Sequence, residues 1–410
     1  MMAFDIDEIR ADYPVLAQEI NGHPLVYLDN AATTQVPLEV LEVATQHHLH
    51  EHANVHRGIH TLSERSTTAY ERARERVRSF IHARFASEIV FTGGTTDGIN
   101  RVARFIEQIL YPGQAVVTTL LEHHANFVPW QQACKRTGAD FLVCGLTPEG
   151  DIDLDDLQQL LASHEVALVT ITHASNVTGA ISPVRTICDL AHQNGALVLV
   201  DAAQSIRHEL VDVQSIDCDF LVYSSHKILG MMGLGVLYGK RELLDRFEPV
   251  VFGGEMIDTV ASDETTFAVA PLRHEAGTPN CPGALVHAAA LDYLEHCGLG
   301  AVRAREHALT KLCREALSQI GGVKLLGSPA EYCGCVSFSI DGVNPFDIAC
   351  LVDNFGIALR SGHMCAQPLL RDYFGVERIC RISPAFYNTE SEIEFCAEIV
   401  ALLVRALTRR

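Results

Sequence analysis

The sequence has no apolar run long enough to span a membrane, and it is short of positive charge. A membrane-spanning helix needs about 18 apolar residues in a row, and no stretch of the chain approaches that length. Lysine and arginine number 31 against 51 aspartates and glutamates, which gives a net charge of -20. Such an excess of negative charge disfavours nucleic acid and anionic membrane surfaces as partners.

The sequence also lacks the marks of a secreted or a disordered chain. We find no signal peptide, no internal repeat and no low-complexity segment, and the 13 cysteines are odd in number and scattered. This cysteine usage indicates a reducing compartment, so we expect a cytoplasmic protein. The one close pair, Cys333 and Cys335, lies in an apolar run, which favours buried thiols over a metal site. Hydrophobic residues make up 48% of the chain, as is ordinary for a globular protein.

Apolar strands and helices alternate along the chain from residue 88 onward. The strands are apolar throughout, as at 115–118 and 197–200, so their repetition predicts a largely parallel α/β sheet with helices on both faces. After about residue 297 the alternation becomes irregular. With 410 residues we expect two domains. Our predicted division is an N-terminal segment (1–20) that packs with the smaller domain, a large domain (21–297) and a small α+β domain (298–410).

Lys227 follows the apolar run 219–223, and a lysine at the end of a buried strand is unusual. Its ammonium would cost free energy to desolvate. A Schiff base with an aldehyde cofactor such as pyridoxal phosphate (PLP) would avoid that cost. The alternative is a lysine that reaches solvent from the strand end. Asp201 ends the run 196–200, where a carboxylate would pair with the protonated ring nitrogen of PLP or would simply cap a helix or loop.

Thr95 and Thr96 follow two glycines between a strand and a helix. Glycines, hydroxyls and free helix N–H groups suit a phosphate, although many strand-to-helix turns have a similar composition. Ser224 and His226 are candidate donors to the same phosphate. His123 follows another strand and is a candidate for stacking on the cofactor ring, although a histidine at such a place is often structural.

Cys365 lies in a short loop near Arg360 and His363. A cysteine beside cationic groups is a candidate nucleophile with a lowered pKa, and the alternative is one more buried thiol. Arg360 and Arg381 are candidates for binding a substrate carboxylate, and both could instead form ordinary ion pairs.

Taken together, these motifs resemble the class V, fold-type I PLP-dependent enzymes, and among them the group II cysteine desulfurases of the SufS/CsdA type. The matching segments occur in family order over nearly the whole chain: 27–32, 54–58, 94–100, 122–126, 201–205, 225–227, 275–280, 360–366 and 387–389. The resemblance implies a large domain with a mostly parallel seven-stranded sheet and a smaller α+β C-terminal domain.

The resemblance implies the conversion of L-cysteine to L-alanine with PLP as cofactor, leaving a persulfide on Cys365. The sulfur would pass to a SufE-like acceptor protein for iron-sulfur cluster assembly or a related transfer, and the enzyme would be a homodimer. Lys227, Cys365 and His123 would be catalytic. The cofactor would be held by Thr95, Thr96, His123, Asp201, Gln204, Ser224, His226, Lys227 and Thr278, the last from the partner subunit. The substrate would be held by Asn176, Arg360 and Arg381, and by Arg57 from across the dimer interface.

Two positions depart from the family pattern. Met364 precedes the predicted nucleophile where the family usually has histidine, and Phe252 replaces the first residue of a glycine triplet.

Two other functions remain as alternatives. One is a selenocysteine lyase or another PLP-dependent C–S lyase with the same fold, and the other is a catalytically silent binding partner.

Overall fold

The structure is a computed structural model that describes residues 5–408, and within that range the chain forms fourteen α-helices. In chain order they are α1 (Ile6–Ala11), α2 (Leu38–His50), α3 (Thr61–Phe80), α4 (Thr95–Ile106), α5 (Val128–Thr137), α6 (Leu154–Ser163), α7 (Val184–Gln193), α8 (Ser205–His208), α9 (Val213–Ile216), α10 (Arg241–Arg246), α11 (Cys281–Cys297), α12 (Leu299–Ser318), α13 (Pro345–Asp353) and α14 (Glu390–Leu407). No helix in this range is both long and apolar enough to cross a membrane.

Seventeen β-strands lie between these helices in the same described range. They are β1 (Glu19–Ile20), β2 (His23–Pro24), β3 (Val26–Tyr27), β4 (Ile89–Thr92), β5 (Gln114–Thr119), β6 (Asp140–Cys144), β7 (Glu165–Thr172), β8 (Leu197–Asp201), β9 (Phe220–Ser224), β10 (Gly235–Gly239), β11 (Ile257–Val260), β12 (Thr265–Phe267), β13 (Val323–Leu325), β14 (Val336–Ile340), β15 (Ile357–Ala358), β16 (Arg360–Gly362) and β17 (Ile379–Ile382).

The central sheet has seven strands in the order β4-β10-β9-β8-β7-β5-β6. Strand β10 runs antiparallel to both of its neighbours, and the other six strands share one direction. Alternate residues of one strand enter different hydrophobic clusters, since Phe91 packs in one cluster and Val90 in another. Both faces of the sheet are therefore covered, which confirms the predicted α/β architecture.

A second sheet, antiparallel throughout, has the order β13-β14-β17-β16 and packs with α12, α13 and α14 around a third hydrophobic cluster. Helix α12 begins directly after Gly298, whose φ of +83° suits glycine. This break lies where the sequence predicts the boundary between 297 and 298. The three-segment division itself stays a prediction, and its first four and last two residues lie outside the described range.

The N-terminal residues pack against the far end of the chain. Strand β3 pairs in parallel with β15, Ile357 opposite Val26. Arg10 donates to the backbone oxygen of Tyr387 at 2.7 Å and pairs with Glu392 at 2.9 Å. Residues near the start of the described chain therefore pair with and contact residues near its end.

Two local sequence patterns predict something that the structure shows only in part: an apolar strand over 358–360, and a helix over 66–82 whose charged residues face solvent. The run 358–360 forms the ends of two short strands, β15 and β16, instead of one strand. Helix α3, expected to present its charges to solvent, buries Arg74, whose side chain is 1% exposed. The guanidinium makes a two-pronged ion pair with Glu275 at 2.6 and 3.0 Å, which is why its burial is tolerated.

Candidate active site

A cavity of about 520 Å³ opens where the central sheet meets the loops of the second sheet. Strands β8, β9, β7, β5 and β4 end there, as expected for a ligand site at the carboxyl edge of a parallel sheet. Most of the residues singled out from the sequence line this cavity: Thr95, Thr96, His123, Asn176, Asp201, Gln204, Ser224, His226, Lys227, Arg360, Cys365 and Arg381.

Lys227 lies in a short 3₁₀ turn directly after β9. It is surrounded by protein, and this desolvation lowers the pKa of its amine, with the attraction of Asp201 acting in the opposite direction. Asp201 is the last residue of β8 and is 3% exposed. Burial raises the pKa of its carboxyl group, while Lys227 and a 2.9 Å hydrogen bond from the backbone nitrogen of Ala203 lower it. The two residues place a buried acid and a half-buried amine on the wall of one cavity.

Helix α4 begins at the cavity, preceded by Gly94. The φ of Gly94 is +143°, and a Cβ placed there would lie 3.3 Å from the hydroxyl oxygen of Ser224. Ser224 accepts a hydrogen bond from the backbone nitrogen of Thr95 at 2.8 Å and exchanges another with its hydroxyl at 2.7 Å. A helix N-terminus surrounded by hydroxyls is suited to an anion.

His226 completes this corner of the cavity. Its Nδ1 atom is buried and has no hydrogen-bond partner among the described residues. Desolvation, reinforced by Lys227, lowers the pKa of the imidazole to about 4. The ring is therefore neutral near pH 7, and it lines the same cavity as Thr95 at the N-terminus of α4.

His123 follows β5 and begins a 3₁₀ turn. Its Nδ1 accepts a hydrogen bond from the backbone nitrogen of Ala125 at 3.0 Å, which fixes the ring. Desolvation, with repulsion from Lys227 and nearby cationic groups, lowers its pKa to about 3. A neutral ring with Nδ1 as acceptor has its proton on Nε2.

Glu122, which precedes His123, is a buried carboxyl group that sequence reasoning did not single out. It accepts from the Thr119 hydroxyl at 2.7 Å, from the backbone nitrogen of Thr172 at 2.9 Å and from the Asn126 amide at 2.6 Å. Desolvation raises its pKa to about 8. These bonds hold the end of β5 against β7. The apolar strand preceding Glu122 indicates its burial, but a sequence does not display the three donors.

Cys365 lies in the turn that follows β16. Met364 and Cys365 both have left-handed backbone angles, φ +50° and +52°, which side-chain-bearing residues rarely adopt. Three hydrogen bonds hold the turn: Cys365 N to His363 Nδ1 at 3.0 Å, His124 N to Cys365 O at 2.6 Å and Asn176 Nδ2 to Met364 O at 2.8 Å. The thiol is thus fixed by contacts from both sides of the cavity, and it is partly exposed.

The two candidate arginines are tied together by Asp29. Arg360 contacts both carboxylate oxygens, at 2.9 to 3.1 Å, and Arg381 donates to one of them at 3.1 Å. Arg381 is 2% exposed, and its Nε atom is buried and has no hydrogen-bond partner within residues 5–408. Asp29 was not among the predicted site residues, although it lies in the polar loop 29–34, whose composition is typical of a ligand site.

Two predicted residues lie outside the cavity of this chain. Thr278 is exposed in the loop before α11. Arg57 is half exposed and pairs with Glu255 at 3.0 Å. Their predicted positions in a partner's site remain predictions. Gln204 lines the cavity and donates to the backbone oxygen of Ala31 at 2.8 Å.

The two residues that depart from the family pattern differ in their exposure. Met364 is 6% exposed and packs in the main hydrophobic cluster, so no titratable group occupies that position. Phe252 is 68% exposed and lies 6.0 Å, ring to ring, from Phe267 of the hairpin β11–β12.

The remaining cysteines differ from Cys365 in their surroundings. All thirteen are unpaired, and Cys365 is the one that lines the cavity. Burial raises the pKa of Cys335 to about 11, and Cys333 beside it is raised well above its usual value. These two thiols stay protonated in the core, in agreement with the sequence-based expectation.

Comparison with known sequences and structures gives one consistent result. The sequence model of the family Aminotransferase class-V matches residues 26–395. A cysteine desulfurase of Synechococcus elongatus is 46% identical over 400 residues, which is 97% of this chain, and the chain spans 64% of that protein's length. A cysteine desulfurase of Cronobacter sakazakii is 44% identical over 406 residues, 98% of either chain.

The fold is also that of a solved structure. The crystal structure of the cysteine desulfurase CsdA from Escherichia coli superposes with a TM-score of 0.91 at 35% sequence identity, over 99% of this chain and 100% of that one. The similarity therefore covers the described cavity together with both sheets.

Proposed function

The chain belongs to the class V aminotransferase family, among the cysteine desulfurases, and from this premise we propose that it removes sulfur from L-cysteine with bound PLP and carries that sulfur as a persulfide on Cys365. The observation that supports this most directly is the single cavity shared by Lys227, Asp201, His123 and Cys365. An amine, an acid, a flat neutral ring and a thiol are the groups that this chemistry needs.

The residues present fit PLP. The N-terminus of α4 at Thr95, the Ser224 hydroxyl that it contacts, and the Nδ1 of His226, which has no partner among the described residues, together suit its phosphate. The space next to Gly94, which a Cβ would narrow, allows close approach to the backbone. The buried carboxyl of Asp201 suits the ring nitrogen, with which a charge pair would relieve the desolvation that raises its pKa.

When bound, PLP supplies an aldehyde that captures amines and a conjugated ring that accepts an electron pair from the substrate. Lys227 has a lowered pKa, so its amine is neutral more often than that of a solvated lysine and is able to bond the aldehyde or accept a proton. His123 is fixed with its proton on Nε2, which makes it a flat and uncharged partner for a ring. Gln204, which lines the same cavity, would contact the ring hydroxyl.

Arg381 and Arg360 would receive the substrate carboxylate. Arg381 is held by Asp29 and by the backbone oxygen of Asn176 at 3.0 Å, and its unpartnered Nε is available. Arg360 is more exposed, so it is the arginine that can turn from Asp29 towards a ligand. Arg381, already held in place, and Arg360, once turned, would together fix the substrate in one orientation before any bond is broken.

Cys365 would attack the substrate sulfur as a thiolate. A sulfur–sulfur bond forms as the carbon–sulfur bond breaks, the electron pair of the broken bond stays with the substrate carbon, and a proton delivered there completes alanine. Met364 offers no proton, so the donor of the proton to the substrate carbon would be Lys227 or His123, both of which line the cavity. The left-handed turn holds the thiol at the cavity mouth, where it is partly exposed.

The sulfur would leave by transfer to an acceptor protein of the SufE type, for iron-sulfur cluster assembly or a related use. Partial exposure of Cys365 supports this, since an acceptor thiol has to reach the persulfide.

A homodimer is supported by Thr278 and Arg57, which are exposed and lie away from the cavity of their own chain. Thirteen unpaired cysteines support a reducing, cytoplasmic location.

The test is mass spectrometry of the purified protein after treatment with L-cysteine. We expect one added sulfur on Cys365 and formation of alanine, both absent in Cys365→Ala. Cys350→Ala removes an exposed cysteine away from the cavity and is the matched control, so it should retain both signals. Full alanine formation by Cys365→Ala would contradict the persulfide mechanism and favour a C–S lyase of another kind.

A further inference from the structure

One cluster of potential metal ligands lies at the mouth of the cavity. His124, His363 and Cys365 each offer a ligand atom, and these atoms all lie within 4.8 Å of one another. Within residues 5–408 no other group of three or more histidines, cysteines or carboxylates meets that condition. The two imidazole rings are 5.6 Å apart, with an angle of 32° between their planes.

The two histidines are already in a form that can bind a metal. His124 Nε2 accepts a hydrogen bond from the backbone nitrogen of Gln367 at 3.0 Å, and His363 Nδ1 accepts one from that of Cys365 at 3.0 Å. An accepting nitrogen has no proton, so each ring presents a lone pair. A metal ion bound at these nitrogens would replace two backbone hydrogen bonds of 3.0 Å, and it would not have to displace a ring proton.

The cluster is also held in place before any ion arrives. His124 belongs to the 3₁₀ turn after β5, and its backbone nitrogen donates to the Cys365 carbonyl at 2.6 Å. Cys365 and His363 belong to the turn after β16, closed by the hydrogen bond from Ala366 N to the His363 carbonyl at 2.9 Å. Ligands fixed by the protein lose little conformational freedom on binding.

We propose that His124, His363 and Cys365 bind a divalent cation of the zinc type and that the bound ion reversibly blocks Cys365. Two imidazoles and a thiolate suit Zn²⁺, with a water in the fourth position of an open tetrahedral site. On binding, the thiol proton leaves to solvent and the sulfur electron pair is bound to the ion. That pair can then no longer attack a substrate sulfur. The blocking rests on the proposed function, whereas the binding does not.

The surroundings of the site make such binding reversible. Three protein ligands hold an ion less tightly than the four of a structural zinc site. Lys227 and Arg360 lie close enough to Cys365 to interact with its charge, and they repel a cation. Asp29, paired with Arg360, offsets part of that repulsion. We therefore expect a chelator or a competing small thiol to remove the ion.

A second group of histidines provides the competing explanation for any zinc that binds. His47, His48 and His52 lie at the end of α2 and just beyond it, with ring centroids 4.9 to 5.9 Å apart. Exposed histidines bind zinc adventitiously. The double variant His48→Ala/His52→Ala leaves the cavity untouched and is the matched control.

The experiment is equilibrium dialysis of the PLP-loaded protein against ZnCl₂, with protein-bound zinc measured directly. We expect one zinc per chain in the wild type and in His48→Ala/His52→Ala, and at least tenfold weaker binding in His363→Ala, His124→Ala and Cys365→Ser. Zinc should also protect Cys365 from iodoacetamide in the wild type, as read by peptide mass spectrometry. Mg²⁺, which prefers oxygen ligands, should do neither.

Each outcome of these experiments supports or overturns one stated part of the proposal. Zinc binding that survives His363→Ala and disappears in His48→Ala/His52→Ala overturns the site, as does full alkylation of Cys365 in the presence of zinc. For each variant, the absorbance of bound PLP and the circular dichroism spectrum show whether that variant is folded. The alkylation experiment uses the wild type and so does not depend on the folding of any variant. Zinc in molar excess over L-cysteine, which is itself a small zinc-binding thiol, should abolish alanine formation, and a chelator should restore it. Zinc bound at the cluster without loss of activity overturns the block, and an absence of alanine even without zinc contradicts the proposed function alone.

Discussion

Glu122→Gln should change how the stability of the protein depends on pH. The Glu122 carboxyl is 1% exposed, and desolvation, with added repulsion from Asp201, raises its pKa from 4.5 to about 8. Glutamine has the same shape and no titrating proton. The substitution therefore removes one proton-linked contribution to folding. The amide NH₂ group of the glutamine faces one of three donors, which costs stability by an amount that does not change with pH.

The sign and the size follow from the two pKa values. Below pH 4.5 the folded and unfolded states both hold the proton, and above about pH 8 neither holds it. Between these limits only the folded state holds it, so its free energy of unfolding falls by about 1.4 kcal/mol for each pH unit. The wild type should lose about 2 kcal/mol between pH 6 and pH 8 from this group alone, and Glu122→Gln should lose none of it.

The assay is urea unfolding of the PLP-loaded protein at several pH values, followed by circular dichroism. The difference between Glu122→Gln and the wild type should move by about 2 kcal/mol in favour of the variant from pH 6 to pH 8. Glu394→Gln, which changes an exposed glutamate of α14, controls for the loss of one charge and should run parallel to the wild type. If the curves for Glu122→Gln and the wild type are parallel too, Glu122 is ionised in the folded protein and the reasoning is wrong.

Three further predictions concern other parts of the structure. Arg74→Met should lower the free energy of unfolding by about 3–5 kcal/mol, because the buried Glu275 loses its partner. Urea unfolding of this variant, compared with Arg74→Met/Glu275→Leu, which removes both charges, measures the effect. Asp29→Asn should raise KM for L-cysteine about tenfold with a smaller change in kcat, since both arginines lose a charged anchor worth about 1.5–3 kcal/mol; equal losses in both constants would contradict that role. Gly94→Ala should weaken PLP retention about tenfold, because the backbone angles of Gly94, φ +143° and ψ 177°, are ones that glycine alone adopts readily, and the added Cβ would lie 3.3 Å from the Ser224 hydroxyl oxygen at the proposed phosphate site. Dialysis followed by cofactor absorbance measures this, and unchanged retention would contradict it.

The regular elements were predictable because their patterns are local. Helical spacing in the sequence predicts helices over 38–50 and roughly over 128–137, and α2 (Leu38–His50) and α5 (Val128–Thr137) have these bounds. Uniformly apolar strands predicted a largely parallel sheet, and this is confirmed. Lys227 and Asp201 could be placed at one edge because parallel strands end on the same side of a sheet.

Tertiary partners account for what was missed. Arg74 looks in sequence like any other charge of a solvated helix, and its burial is decided by Glu275, some two hundred residues away. Asp29 became part of the site through two arginines contributed by β16 and β17. No spacing rule connects such positions, so the sequence offers no signal for them beyond a polar loop.

The contact of α1 and β3 with the last strands and helix has a consequence for how the chain folds. Arg10 and its partner Glu392 are separated by 382 positions, and Val26 has to wait for Ile357 before its strand has a neighbour. During synthesis the opening residues leave the ribosome long before the elements that receive them exist. Closing so long a loop is slow, so we expect these first elements to be the last to acquire protection from hydrogen exchange.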